Sequence, residues 1–254
     1  MTRSRRIFRI AGPDRIQFLQ GLVTNDVRRL NEGAVYAAML TPQGKLLADF
    51  FLVPDGADAI LLDVAEPLAA GLFKRLSMYK LRADVTIAQT DLKVSRGTGD
   101  APDGAFADPR HQALGWRAYG SMQTGDIAPA DWDALRVLHM IPETGIELLP
   151  DATFILEAGF ERLNGVDFRK GCYVGQEVTA RMKHKTELRK GLARVAVDGS
   201  APVGTAITSE GKPAGTLYTQ SGGAGIAYLR FDRAQGDLEA GDARVRLPEP
   251  AQGA

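Results

Sequence analysis

NGVDFRKGCYVGQE, residues 164–177, concentrates the least common residue choices of this 254-residue chain. It holds the only cysteine of the sequence, Cys172, directly after Arg169 and Lys170. Its three glycines permit backbone angles that other residues avoid, or the close approach of another group. The run that follows, residues 176–183, predicts a helix, because its second residue is acidic and acidic residues are favoured in a helix's first turn.

The surroundings of Cys172 favour the thiolate form of its side chain. A helix N-terminus just downstream and two cations just upstream both lower the pKa of a cysteine thiol. The pattern is therefore typical of a reactive or metal-touching thiol. The alternative is an inert, buried cysteine, since free cysteine is often buried. The flanking cations and glycines favour the first interpretation.

Residues 170–177, KGCYVGQE, resemble the signature of the YgfZ family. The members of this family are folate-binding factors, similar to the glycine cleavage T-protein, that support iron–sulfur proteins. Residues 12–26 resemble the opening segment of the family, which borders its folate cavity. Residues 78–82, MYKLR, resemble a further family segment. The resemblance therefore covers nearly the whole chain.

The order of the predicted elements indicates the fold class. Strands and helices are mixed up to about residue 190, which predicts an α+β domain. From residue 191, short strand-like runs are separated by Gly, Pro, Ser and Asp, which predicts a small antiparallel β-barrel. The resemblance sharpens this to a T-protein-like (aminomethyltransferase-like) folate-binding domain over residues 1–190 and a C-terminal β-barrel domain over residues 191–254. Residues 97–104 predict an exposed loop.

Composition limits the class of protein. A hydrophobic content of 44% and a charged content of 24% are typical of a globular protein. A net charge of +0 does not favour nucleic acid as a direct ligand. A single cysteine suits a reducing compartment, and the sequence shows no signal peptide or membrane-spanning run, so we expect a cytoplasmic monomer. The three histidines show no metal-site spacing with the cysteine, so no metal site is expected.

The resemblance implies a ligand, partners and a set of site residues. The ligand is tetrahydrofolate or a one-carbon derivative. The partners are iron–sulfur client or assembly proteins, with tRNA-modifying enzymes as candidate clients. Cys172 is the expected working thiol, and Lys170 is expected to keep it ionised and to contact the folate. The residues expected to bind the folate are Asn25, Asp26, Asp49, Arg82, Glu157, Tyr173 and Arg181.

Residue chemistry alone gives simpler interpretations for several of these positions. Asn25 and Asp26 lie in a run typical of a polar turn. Asp49 interrupts an apolar strand and is expected to face water, because a buried carboxylate needs a partner. Arg82 equally suits a solvated loop, and Glu157 suits the start of a helix.

Two other functions stay open. T-proteins carry paired aspartates and a glutamate where this chain has Ala48-Asp49 and Leu138, so a folate-dependent aminomethyltransferase would lack its usual means of proton transfer. A non-enzymatic module that binds RNA or protein would use the basic run over residues 181–190, in which Glu187 is the only acidic residue. Such a run is usually a solvated face, although it also suits an anion.

Overall fold

The computed structural model describes residues 4–120, 130–184 and 188–247. The chain forms two compact units. The first unit comprises Met1–Ala130, Pro150–Phe154 and Phe160–Arg181, and the second comprises Asp131–Leu149, Ile155–Gly159 and Met182–Ala254. The predicted domain boundary at residue 190 stays a prediction.

The first unit is built on a five-stranded antiparallel sheet. Its strands are β1 (Arg5–Ala11), β2 (Val35–Leu40), β3 (Leu46–Asp55), β4 (Ala59–Ala65) and β5 (Thr86–Gln89). Their order in the sheet is β2-β3-β4-β1-β5. Helices α1 (Arg15–Gln20) and α2 (Glu66–Lys80) belong to the same unit.

Both faces of this sheet are covered, as the side chains of β3 illustrate. Phe50 and Leu52 belong to the large apolar core that also contains the buried side chains of α1 and α2, among them Leu72 and Leu76. Val53 points to the opposite face and packs in a smaller apolar cluster. Because successive side chains of a strand point to opposite faces, a strand covered on both sides reads as a continuous apolar run.

A three-stranded sheet contributes to the second face, in the order β6-β8-β7. Its strands are β6 (Lys93–Gly97), β7 (Phe106–Ala107) and β8 (Trp116–Gly120). The sequence did not predict it, because two of its strands flank a loop rich in Gly and Asp and β7 has only two residues. Most of the predicted loop is confirmed, but Gly97 is the buried last residue of β6.

The second unit is organised around a closed barrel of six antiparallel strands. The barrel strands are β9 (Lys190–Asp198), β10 (Thr205–Ser209), β11 (Lys212–Ser221), β12 (Ala224–Arg230), β13 (Leu238–Ala240) and β14 (Ala243–Arg246). Buried side chains such as Ile207, Leu217 and Leu229 fill its interior. The predicted α+β unit and the predicted antiparallel barrel are both confirmed.

Helix α3 (Trp132–His139) packs against β11 and β12 in this unit. A buried carboxylate, Glu147, joins the helix to the barrel by accepting hydrogen bonds from Arg136 and from the Thr219 hydroxyl, the latter at 2.5 Å. Helix α4 (Gln176–His184) follows the cysteine motif, as predicted. Within the described ranges, no helix combines the length and apolar character needed to cross a bilayer.

Candidate functional site

Cys172 lies on a loop just before α4. The helix begins at Gln176, with Glu177 in its first turn. The Cys172 side chain is exposed, so the expectation of the alternative that this cysteine is buried is wrong. An exposed thiol close to a helix N-terminus has two of the features that reactive cysteines share.

Lys170 anchors this loop to the end of α1. Its side chain is buried, and its Nζ donates hydrogen bonds at 2.6 Å to the carbonyl oxygens of Gln20 and Val23. The Gln20 side chain donates in return to the Lys170 carbonyl at 3.3 Å. Burial lowers the pKa of Lys170 to about 8, against the attraction of Asp26 and other nearby acidic groups. The ammonium therefore fixes the backbone two residues before Cys172.

The lowered pKa of Lys170 predicts a pH dependence of stability. The folded protein releases this proton near pH 8, whereas the unfolded chain keeps it up to about pH 10.5. Between these values the unfolded state binds more protons, so the free energy of unfolding rises with pH. Urea denaturation should show a steeper rise for the wild type than for Lys170→Met. Parallel pH profiles of the two proteins would contradict this role of Lys170.

Close packing fixes the other side of the loop. Gly175 has a φ of 84°, and a Cβ atom there would lie 2.5 Å from the Thr41 carbonyl oxygen in the β2–β3 turn. The ring of Tyr173 is buried, with the Lys170 Nζ 4.8 Å from its centroid. Burial raises the pKa of the Tyr173 hydroxyl to about 12. The exposed thiol is thus carried by a well-packed loop.

Asn25 and Asp26 support the same region through the turn chemistry that the sequence indicated. The Asn25 side chain donates to the carbonyl oxygens of Tyr36 at 2.8 Å and Asn164 at 2.6 Å. Asp26 caps a short 3-10 helix, Val27–Asn31, and accepts hydrogen bonds from Arg28. The Arg28 contacts lower the pKa of Asp26 to about 2. These residues connect the α1 region to the start of the cysteine motif.

Asp49 is buried, so the expectation that it faces water is wrong. Only 3% of it is exposed, and it accepts a 3.0 Å hydrogen bond from the Tyr36 hydroxyl. Burial, followed by the charge of Asp49, raises the pKa of Tyr36 well above its usual value. The Tyr36 ring packs between Phe51 and Phe160, at centroid distances of 5.2 and 5.1 Å.

A buried ionic network lies on the same face of the sheet, and the sequence did not predict it. The fully buried Asp63 carboxylate accepts hydrogen bonds from Arg5 Nε at 2.6 Å, Arg117 Nη2 at 2.5 Å and the Tyr119 hydroxyl at 3.0 Å. The two arginines hold the pKa of Asp63 below its usual value despite burial. The Arg117 guanidinium also lies 3.8 Å from the centroid of the Phe51 ring.

The network extends along the segment after β7. Arg110 binds the Asp108 carboxylate through two side-chain hydrogen bonds of 3.0 and 2.8 Å, and both residues are buried. Asp108 also faces Arg117 at 3.6 Å. The Arg110 guanidinium lies 5.6 Å from the Tyr36 ring centroid. The covered face of the sheet therefore combines aromatic rings with paired charges.

A cavity of about 370 Å³ opens beside this network. Asn25, Tyr36, Phe106 and Asn164 line it, with Arg29, Glu32 and the small residues Ala34, Ala105 and Ala107. Arg29 and Glu32 are exposed and form an ion pair at 3.5 Å. The cavity therefore offers the partly buried ring of Phe106 together with the polar groups of Asn25, Arg29 and Asn164.

Comparison with known proteins identifies relatives over nearly the full chain. The iron–sulfur cluster assembly factor IBA57, mitochondrial, of Mus musculus is 32% identical over 282 residues, covering 92% of this chain and 78% of that protein. The Homo sapiens protein of the same name is 30% identical, covering 98% and 80%. The model of the CAF17 C-terminal beta-barrel domain matches residues 189–252. The chain belongs to the IBA57/YgfZ (CAF17) family. The predicted family is thereby confirmed.

The fold of this IBA57/YgfZ protein is also that of an aminomethyltransferase. The crystal structure of glycine cleavage system aminomethyltransferase T from Bartonella henselae superposes with a TM-score of 0.72 at 12% identity, covering 95% of this chain and 81% of that chain. At the two positions where the resemblance implies T-protein carboxylates, Ala48 lies in the apolar core and Leu138 is exposed on α3. The predicted T-protein-like fold is confirmed, and the shared fold by itself does not establish the T-protein's chemistry.

Of the seven predicted folate-binding residues, Asn25 lines the cavity, and the other six lie outside its lining: Asp26, Asp49, Arg82, Glu157, Tyr173 and Arg181. Arg82 is exposed in the link after α2, and Arg181 is exposed on α4. Glu157 belongs to the second unit, where its carboxylate accepts a 2.7 Å hydrogen bond from the Tyr228 hydroxyl. It lies in a series of turns and not at a helix start. Lys185 and Glu187, from the predicted basic run, lie outside the described residues.

Proposed function

We propose that this protein is an iron–sulfur cluster assembly factor in which Cys172 is the working thiol. Family membership supports the assembly role. The observation that carries the role of Cys172 is its position: the only thiol of the chain is exposed on a loop that Lys170 and Gly175 hold in place. A thiol that acts on another protein must be both accessible and positioned, and this one is both.

The cluster is the cargo of this protein and is held mainly by a partner. Among the described residues, no group of three or more His, Cys, Asp and Glu side chains is placed to hold a metal ion. Iron–sulfur clusters are commonly held by about four cysteine thiolates. Cys172 therefore supplies at most one ligand, and the others come from an iron–sulfur carrier or client. The thiolate acts at this shared site as a nucleophile, a redox group or a transient ligand.

Cells that lack their own IBA57/YgfZ protein provide the test of the assembly role. Expression of this chain should restore the activity of a four-iron cluster enzyme, measured in extracts against the amount of that enzyme. Restored activity without a change in enzyme abundance is the expected result. Cells in which the protein is abundant and folded, yet cluster enzymes stay inactive, would contradict the assembly role.

We also propose that tetrahydrofolate or a one-carbon derivative binds in the cavity beside Tyr36. Its volume of about 370 Å³ lies in the range of about 300–1,000 Å³ that small-molecule sites occupy. The partly buried ring of Phe106 suits a flat heterocycle, and Arg29 suits the carboxylate of a folate tail. The folate contact expected of Lys170 stays a prediction, as do the folate-binding roles of Asn25, Asp26, Asp49, Arg82, Glu157, Tyr173 and Arg181.

Filling the cavity should abolish folate binding. Calorimetric titration of the wild type with tetrahydrofolate, without oxygen, should give a Kd below about 100 μM, a free energy near −5.5 kcal/mol. Ala105→Trp places a large ring at the cavity wall and should remove the binding heat. Ala101→Trp, at an exposed position outside the lining, is the matched control and should bind as the wild type does.

Two outcomes would contradict the folate proposal. The absence of binding heat in the folded wild type would show that tetrahydrofolate is not a ligand of this protein. Unchanged binding by Ala105→Trp would place the ligand outside this cavity.

A further inference from the structure

Leu81 is an exposed leucine in an unfavourable backbone conformation. It follows α2 with φ 43° and ψ −107°, and 86% of it is exposed to solvent. A non-glycine residue with such angles is strained, and strain of this kind concentrates where function requires it. Glycine would relieve the strain. The folded state of the protein alone therefore gives no reason for an apolar side chain at this position.

Hydrogen bonds hold the Leu81 backbone in place. The Ala83 N–H donates to the Lys80 carbonyl at 2.8 Å. The Asp84 N–H donates to the Asp14 carboxylate, also at 2.8 Å. The exposed side chain is therefore presented from a fixed turn, which lowers the ordering cost of burying it against another molecule.

The neighbours of Leu81 combine exposed apolar side chains with positive charge. Met78 is 64% exposed, and Tyr79 and Phe73 are also exposed. Residues 67–83 contain four cations and no carboxylate, while Glu66 and Asp84 flank this run and Asp14 binds the Asp84 N–H. Methionine, aromatic residues and arginine are enriched in protein interfaces. The charge indicates a partner surface that carries carboxylates around an apolar site, since complementary charges guide association.

Helix α1 connects this surface with the Cys172 loop. Asp14, which binds the turn after Leu81, is the N-cap of α1. Lys170 binds the carbonyl oxygen of Gln20, the last residue of α1. A helix of six residues is about 9 Å long. A single protein partner is large enough to contact both ends of this helix at once.

We propose that the surface around Leu81, formed by residues 73–82, docks the partner that carries the cluster to Cys172. The partner presents an apolar pocket for Leu81, surrounded by acidic side chains that face Lys80 and Arg82. This inference rests on the proposed assembly function and adds the surface through which the partner is positioned. Leu81 is a positioning residue, because it acts through the partner and not on the cluster.

The substitution Leu81→Gly separates docking from folding. Glycine adopts a positive φ without strain, so the melting temperature should be unchanged or higher. Restoration of cluster-enzyme activity in cells should fall about tenfold or more, the effect expected of a central anchoring side chain. Lys80→Glu should also weaken restoration. The matched control is Glu210→Gly, which replaces an exposed residue with φ 49° in a barrel turn and should leave activity unchanged.

Two further measurements make the test specific. Iodoacetamide should alkylate Cys172 at the same rate in the wild type and in Leu81→Gly, because the Lys170 contacts that hold the loop are unchanged. Sedimentation with vesicles of phosphatidylglycerol should show no Leu81-dependent binding. A changed alkylation rate in Leu81→Gly would show that Leu81 acts on the Cys172 loop itself. Leu81-dependent vesicle binding would show that the surface binds lipid. Either result would overturn the proposal.

The comparison with Cys172→Ser distinguishes this proposal from the assembly function itself. Full restoration by Leu81→Gly alongside loss in Cys172→Ser would overturn the docking surface and leave the working thiol in place. Full restoration by Cys172→Ser would instead overturn the proposed role of the thiol.

Discussion

Replacing Asp63 with asparagine should lower the free energy of unfolding by about 3–5 kcal/mol, the usual cost of breaking a buried ion pair. The Asp63 carboxylate is fully buried and accepts hydrogen bonds from Arg5, Arg117 and Tyr119. The neutral amide would leave two arginine side chains without their shared carboxylate. Urea denaturation of the wild type and Asp63→Asn gives the difference directly.

The substitution Asp55→Asn is the matched control for Asp63→Asn. Asp55 lies on β3 of the same sheet, and it pairs with Arg9 at 2.7 Å where the two side chains are 37% and 46% exposed. An exposed pair contributes about 0–1 kcal/mol, so this variant should be nearly as stable as the wild type. Equal effects of the two substitutions would contradict the importance of the buried network.

The stabilisation by Asp63 has a definite pH dependence. Because Arg5 and Arg117 hold the pKa of Asp63 below its usual value of 3.8, the folded state keeps the carboxylate ionised to lower pH than the unfolded chain does. The contribution is therefore present above pH 3.8 and is lost as the pH falls through the folded-state pKa. The wild type and Asp63→Asn should converge in stability in acid.

Replacing Cys172 with serine should abolish the cluster-assembly function while leaving the fold intact. The side chain is exposed, and surface substitutions usually change stability by no more than about 0.5 kcal/mol. A thiolate is the nucleophile and the soft metal ligand of a cysteine, and a serine hydroxyl replaces neither role at neutral pH. The function should therefore fall to the level of cells without the protein, whereas the urea midpoint should stay unchanged.

Glu177→Gln provides a control on the same segment. Glu177 is exposed in the first turn of α4, and its loss removes a charge without touching the thiol. A favourable charge at a helix N-terminus contributes about 0.3–1 kcal/mol, so this variant should lose a little stability and keep its function. An equal loss of cluster-assembly function in Cys172→Ser and Glu177→Gln would show that the function depends on the segment as a whole and not on the thiol.

Patterns among adjacent residues were enough to predict helix α4 and the C-terminal barrel. The helix after Cys172 begins at Gln176, within the predicted segment. The separation of strand-like runs after residue 191 predicted the barrel, because tight turns and alternating side chains leave a pattern in adjacent residues. The family resemblance likewise rested on adjacent residues, chiefly the contiguous motif of residues 170–177.

Pairings between distant residues could not be predicted in this way. Asp63 and Arg117 are 54 positions apart, and the local sequence around either residue does not indicate its partner. Asp49 looked exposed because a carboxylate in an apolar strand is usually solvated, and only the fold brings Tyr36 to its side. Lys170 illustrates the same limit, since its Nζ binds a carbonyl 150 positions away.

The most direct test of the central proposal compares the wild type with Cys172→Ser in cells that lack their own IBA57/YgfZ protein. The measured quantity is the activity of a four-iron cluster enzyme per amount of that enzyme, with both variants present at equal, folded levels. We predict that the wild type restores this activity and that Cys172→Ser leaves it at the level of the empty vector. Full restoration by Cys172→Ser would contradict the role of Cys172 as the working thiol.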